Sequence, residues 1–226
     1  MTFKRLKITE LDLQRIVFSE VYQRFSEPKA QRKAFDIMES AIKCIAKMGF
    51  DKVTLTMIAR ESGVTRPLLK YYFNNIDEIL EFSIKYIRLL FQRKAVNSMT
   101  SVSNPKEMLL KYIDSCFKWI NEDRSHAIVW LAFLHRAATS KKARELNTKA
   151  VIAGEERILS LIEFGQQLGE FQCNELEFNS KALQIMITGA LISSLSENPR
   201  DTINYHQQVK VSCLRLLGAK SDLKKM

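Results

Sequence analysis

The chain is predicted to be all-α, with a helix-turn-helix motif near its N-terminus. Three observations carry that prediction. Apolar residues recur at helical spacing along most of the chain. Gly and Pro number only 7 and 4 among 226 residues, which favours long helices over many-stranded sheets. The stretch TLTMIARESGVTRPLLKYYF, Thr54 to Phe73, reads as two short helices joined by a tight turn.

Taken in order, residues 1–8 form a short basic arm with Lys4, Arg5 and Lys7. Thr9 to Phe25 is predicted helical, because Thr9 and Asp12 form a capping-box pattern and Leu13, Ile16, Val17 and Val21 make a stripe. Ser26-Glu27-Pro28 breaks the chain and starts the next helix, which runs to about Met48. Its inward residues are Phe35, Ile37, Met38, Ala41, Ile42 and Ile45, and Gly49 ends it.

Thr54 is then a good N-cap, since its hydroxyl can accept from a free N–H of the first turn. Leu55, Ile58 and Ala59 form a buried stripe. Gly63 ends that helix, where the left-handed position favours a residue without a Cβ. Val64 plugs the turn. Thr65 caps the second helix, and Pro67 sits in its first turn, where a missing N–H costs nothing. Leu69, Tyr72 and Phe73 face the core. Arg66, Pro67, Leu68, Lys70 and Tyr71 are left on or beside the outer face.

Asn74 or Asn75 caps a long fourth helix that reaches about Asn97, with Asp77 and Glu78 complementing the dipole in its first turn. Ser98 to Asn104 is loop-like. Later helices are expected from Asn104-Pro105 to near Asp123, over 125–139, from Lys141 to Leu168, from about Glu175 to Ser196, and from Ile203 to Leu217. The tail SDLKKM is expected to fray.

Several of these features fall at fixed offsets. A long helix ends in KMGF (Lys47 to Phe50). Thr54, the Ile58-Ala59 pair, Gly63-Val64-Thr65 and the Tyr72-Phe73 pair before an acidic helix start then follow. The run from Arg32 to Ile87 resembles the DNA-binding domain of the TetR family of bacterial transcriptional regulators. The resemblance covers roughly the first third of the chain after the arm, and the rest matches only in helix layout. It implies an N-terminal three-helix helix-turn-helix DNA-binding domain (28–75) and a C-terminal helical ligand-binding and dimerisation domain (76–226). Residues 1–27 are then an extra N-terminal arm and helix, which most relatives lack. That segment either packs on the reader or sends its basic residues to DNA.

The resemblance implies a double-stranded DNA operator as partner. The second motif helix enters the major groove. Arg66 is the first candidate base contact, because a guanidinium can bridge O6 and N7 of guanine. Leu68 suits a thymine methyl or else tucks against the adjacent helix, and Tyr71 suits a base or a phosphate. Pro67 sits beside them. Thr54, Thr56, Thr65 and Tyr72 offer hydroxyls to phosphates. Two positions depart from the family pattern: Lys70 replaces a usual Tyr, and Ile76 replaces a basic residue at the start of the fourth helix. Lys70 still serves a phosphate as a point charge, and Lys52 or the arm can replace the missing clamp.

One short helix reads few bases, so two copies about 34 Å apart on a palindrome are expected, hence a homodimer. In the family the last two helices of each subunit form a four-helix bundle. Ile185, Ile187, Leu191, Ile192 and Leu195 are the candidates here. The family also implies a small-molecule effector, bound in a cavity, that releases DNA. Tyr112, Cys116, Trp119, His126, Trp130, Phe133 and His135 are the candidate lining residues, although Trp130 and Phe133 also suit an ordinary core. Their aromatic and sulfur content points to an apolar ligand. The family's commoner member is a repressor. The other reading kept open is a ligand-independent DNA-binding factor, architectural or linked to division.

Other classes find little support. No HExxH, GxSxG, P-loop or Rossmann pattern occurs, so no enzyme and no cofactor are expected. Cys44, Cys116, Cys173 and Cys213 lack CxxC spacing, and the two His at nine-residue spacing do not match a metal pair. The longest apolar runs are too short to span a bilayer, and the N-terminus lacks the apolar segment of a signal peptide. A reducing cytoplasm is the expected location. The net charge of +10 is concentrated in the N-terminal half, as a phosphate-binding surface needs.

Overall fold

The computed structural model describes residues 27–195 and 199–219. The arm, the helix expected over Thr9 to Phe25 and the tail SDLKKM lie outside them. The described residues are all-α. They form α1 (Pro28–Met48), a short 3-10 turn (Phe50–Lys52), α2 (Leu55–Glu61), α3 (Arg66–Tyr72), α4 (Ile76–Met99), α5 (Pro105–Glu122), α6 (Arg124–Thr139), α7 (Lys141–Gln167), α8 (Leu176–Leu195) and α9 (Pro199–Leu216).

The chain divides by contact into two units. One comprises residues 27–93 and 122–145, and the other comprises 94–121 and 146–219. In the first, α1 packs on α2 and on α6. The reason lies in α1 itself. It turns nine residues inward, including all six named from the sequence. α2 and α3 are seven residues each, too short to cover such a stripe, and α6 covers the remainder with Val129 and Phe133. Phe35 meets Tyr86 edge-on at 5.1 Å between centroids, and Phe73 meets Phe82 at 5.8 Å. Each such pair adds about 1 kcal/mol beyond its area.

The start of α4 is fastened twice within this unit. Arg136 Nη2 donates to Asp77 Oδ2 at 2.8 Å, and Lys142 Nζ stands 2.8 Å from Glu81 Oε2. Beside these pairs lies a cavity of about 340 Å³, walled by Asn75, Asp77, Glu81, Phe133, Arg136 and Lys142 among others. In the second unit α8 packs along α9. His206 and Lys210 of α9 both meet Asp114 of α5, and the Phe117 ring lies 4.6 Å from that of His206.

Most helix ends fall within a few residues of expectation. Asn75 caps α4, accepting from Glu78 N at 2.9 Å, while Glu78 reaches back to Asn74 N at 2.6 Å. Asp123 caps α6, and Asn104 accepts from Lys106 N and Glu107 N at the start of α5. The largest difference is α9, which opens at Pro199 and not at Ile203. Proline at the first helical position begins a helix at no cost in hydrogen bonds.

Candidate nucleic-acid interface

The motif is built by local rules. Thr54 Oγ1 accepts from Met57 N at 3.3 Å, and Thr65 Oγ1 accepts from Leu68 N at 3.4 Å, so each short helix starts on a hydroxyl cap. Between them Gly63 adopts φ +65°. Its N–H donates to Arg60 O, and Val64 N–H donates to Ala59 O at 2.9 Å. This is the Schellman arrangement, which satisfies the last carbonyls of α2 and reverses the chain within two residues. A side chain at Gly63 would meet open space but would have to adopt the left-handed backbone.

That turn presents α3 with two unlike faces. Leu69 and Phe73 are 0% exposed, and Ile58 of α2 beneath them is also fully buried. Outward stand Arg66, Pro67, Leu68, Lys70 and Tyr71, with Leu68 at 41% and Tyr71 at 60% exposure. Lys52, Thr54, Thr56 and Thr65 are exposed as well. Tyr72 differs from the other candidates: it is only 7% exposed and turns with Leu69 toward the core. Burial raises its phenol above the usual value. Met57, absent from the sequence-based candidates, is exposed on α2. It follows Thr54 by three positions, and that spacing was the available signal.

Among the described residues, none of Lys52, Arg66 and Lys70 pairs with a carboxylate. Arg66 and Lys70 are four apart on one helix and lie on one side of it. Two unpaired cations, a phenol and an apolar side chain thus share one exposed helical face, a set that can contact both phosphates and base edges.

The effector candidates fall in both units. Tyr112, Cys116 and Trp119 are buried in the unit of 94–121 and 146–219. His126, Trp130, Phe133 and His135 belong to the other unit, where Phe133 is buried and His135 is exposed. Phe133 borders the cavity beside α4, whose other walls are mostly polar or charged. Sequence reasoning missed the ion pairs at that cavity. Arg136 and Asp77 are 59 positions apart, and no local pattern links them. Among the described residues, no three His, Cys, Asp or Glu side chains converge as metal ligands. No helix there is long and apolar enough to cross a membrane.

The candidates on α8 also divide. Ile187 and Leu191 turn inward, and Leu195 is half-buried. Ile185 and Ile192 turn outward, with Ile185 at 70% exposure, and Phe178 joins them at 63%. Phe178, Ile185 and Ile192 recur every seven residues, which places them on one side of a helix. That spacing is legible in the sequence.

The pattern of the family described as bacterial regulatory proteins, tetR family, matches residues 37–81, which take in most of α1, both motif helices and the start of α4. Residues 37–81 of the chain thus carry the DNA-binding pattern of the TetR family. Among curated TetR-type relatives, the HTH-type transcriptional regulator BetI of Agrobacterium fabrum is 30% identical over 116 residues, 51% of this chain and 55% of that protein. The chain thus matches little more than half the length of the first curated relatives. Among solved structures, a transcriptional regulator from Saccharomonospora viridis in complex with choline superposes with a TM-score of 0.73 at 21% identity, covering 80% of this chain and 95% of that one. A SmeT–triclosan complex gives 0.68 at 16% identity, covering 85% and 94%. At these identities the structural likeness establishes the fold. The described residues therefore combine a helix-turn-helix segment with the all-helical fold of these neighbours.

Proposed function

We propose that the protein is a sequence-specific transcriptional regulator that binds a palindromic operator as a homodimer and acts in the cytoplasm as a repressor. Residues 28–75 are the reading domain, and 76–226 carry effector binding and dimerisation. The observation that carries the reading is the division of α3. Leu69, Tyr72 and Phe73 anchor it, while Arg66, Leu68, Lys70 and Tyr71 project outward. A helix held in this way can enter a major groove without unfolding anything beneath it.

In this reading Arg66 contacts a guanine, Leu68 a thymine methyl, and Pro67 and Tyr71 flank them. Lys52, Lys70, Thr54, Thr56 and Thr65 hold phosphates. Tyr72 contributes through its buried ring and places Tyr71, whose centroid is 5.4 Å away. Dimerisation uses the outward side of α8, with Phe178, Ile185 and Ile192 continued by neighbouring apolar residues. An exposed apolar stripe of this kind is costly on an isolated subunit and gains by being covered.

A small molecule bound in the effector half releases DNA by favouring the form in which the two readers no longer fit one duplex. Effector binding in the neighbours, choline in one and triclosan in another, supports the presence of a site but names no ligand for this chain. The test is recovery of fragmented host DNA by the purified protein. The reading requires a shared two-fold symmetric motif among the recovered fragments. Recovery without any common motif points to the ligand-independent architectural factor instead.

A further inference from the structure

Tyr112 of α5 is 3% exposed, and Cys116, one turn on, is 1% exposed. Across from them on α7 the Arg157 guanidinium lies over the Tyr112 ring, 6.0 Å from its centroid. It stands near enough to the Tyr112 hydroxyl and the Cys116 thiol to act on both electrostatically. Arg157 is half-buried, and no carboxylate of the described residues lies within 4.0 Å of it. An arginine does not shed its proton. A partly buried cation without a counter-ion is costly.

Its neighbours cannot supply the missing charge. Burial raises the Tyr112 phenol well above its usual value and pushes the Cys116 thiol up to about 12. Both are therefore neutral at pH 7. One turn before Arg157, Gly154 leaves room for the Gln184 amide of α8, whose Oε1 would stand 2.7 Å from a Cβ at that position. Gln184 Nε2 donates to Thr188 Oγ1 at 3.2 Å, but its buried Oε1 has no donor. Among the described residues, a cation of α7 lacking a carboxylate and an acceptor of α8 lacking a donor thus lie beside neighbouring turns of α7. On the same three helices Ile113, Ile158, Leu161 and Leu183 are buried and apolar.

We propose that Arg157 is the anion anchor of a ligand site in this unit, and that the ligand is a small carboxylate with an apolar body. The carboxylate takes the free edge of the guanidinium, where two parallel N–H donors suit its geometry. Gln184 Oε1 accepts from a hydroxyl or amine one turn away. The inference rests on the reading that this half of the chain receives the effector, and it names that effector's charge.

The experiment uses the full chain and a panel of carboxylates: straight-chain acids from butyrate to decanoate, benzoate and the hydroxybenzoates. Each is paired with its own amide and amine. Thermal shift and tryptophan fluorescence report binding, and retention of host DNA fragments is followed in parallel. At least one carboxylate should bind, and its amide and amine should bind much more weakly. Arg157→Gln should weaken that carboxylate about tenfold or more while leaving amides unchanged. Arg157→Lys should fall between, since it keeps the charge and loses the paired donors; it serves alone if Arg157→Gln does not melt cooperatively. The proposal is overturned if no carboxylate binds, if amides or amines bind as well as acids, or if neither variant alters affinity. A carboxylate that binds through Arg157 but leaves DNA retention unchanged upholds the anchor and refutes the release reading instead.

Discussion

Adjacent leucines on α3 offer a direct contrast. Leu69 is 0% exposed and Leu68 is 41% exposed. Leu69→Ala leaves a hole beneath the reader and should cost about 2–5 kcal/mol of stability. Leu68→Ala should cost less than about 1 kcal/mol, because fully burying a leucine is worth about 1.5–3 kcal/mol and much of this one is already in water. On DNA the order reverses. Leu68→Ala removes up to about three methylene equivalents at about 0.8 kcal/mol each, a loss of at most about 2.4 kcal/mol or about fiftyfold in affinity. Leu69→Ala should weaken binding only through the fraction unfolded. Urea melts give the stabilities, and fluorescence anisotropy on a fragment recovered from host DNA gives the affinities. If Leu68→Ala destabilises as much as Leu69→Ala, or binds DNA like the parent chain, the division of α3 into an anchoring and a reading face is refuted.

Three further outcomes follow from the same reasoning. Lys70→Ala should weaken binding evenly across DNA sequences and reduce the salt slope by about one, as measured by titrations at several ionic strengths; a sequence-dependent loss would contradict its role at a phosphate. Ile185→Glu should leave the melting temperature of the subunit nearly unchanged, since the residue is exposed, yet shift sedimentation from dimer to monomer; an unaltered dimer would place the interface elsewhere. His206 is held below its usual value chiefly by burial, then by Lys210, against the opposing pull of Asp114. The folded chain therefore binds this proton less readily than the unfolded chain. The stability it contributes is full above about pH 6.5, the unfolded value, and is lost as pH falls through the lower folded value. His206→Gln should flatten that part of the melting-temperature profile; an unchanged acid slope would contradict it.

The legible part of the molecule is the part governed by local rules. The α1 stripe, the hydroxyl caps at Thr54 and Thr65 and the turn at Gly63 each depend on residues within one or two turns. Periodicity and capping chemistry therefore located the motif and named its outward residues. Tyr72 carries two signals at once: its hydroxyl suggests a phosphate contact, while its spacing from Leu69 turns the ring inward, where it is buried. The long-range features were hidden. Asp77 reads as a dipole-complementing acid until Arg136 arrives from a distant segment, and the pair of Glu81 with Lys142 has no local signature either. The packing of α6 with the reader is likewise invisible until the width of the α1 stripe is set against the shortness of α2 and α3. On α8 almost every turn is apolar, so composition could not separate Ile187 and Leu191, which face inward, from Ile185 and Ile192, which do not.

The sharpest single measurement compares the host DNA fragments recovered by the parent chain with those recovered by Arg66→Ala. The parent should select a two-fold symmetric motif, and Arg66→Ala should keep that motif while losing preference at one base pair in each half, at about 1–3 kcal/mol per position. An identical motif from both proteins would contradict the placement of α3 against base edges.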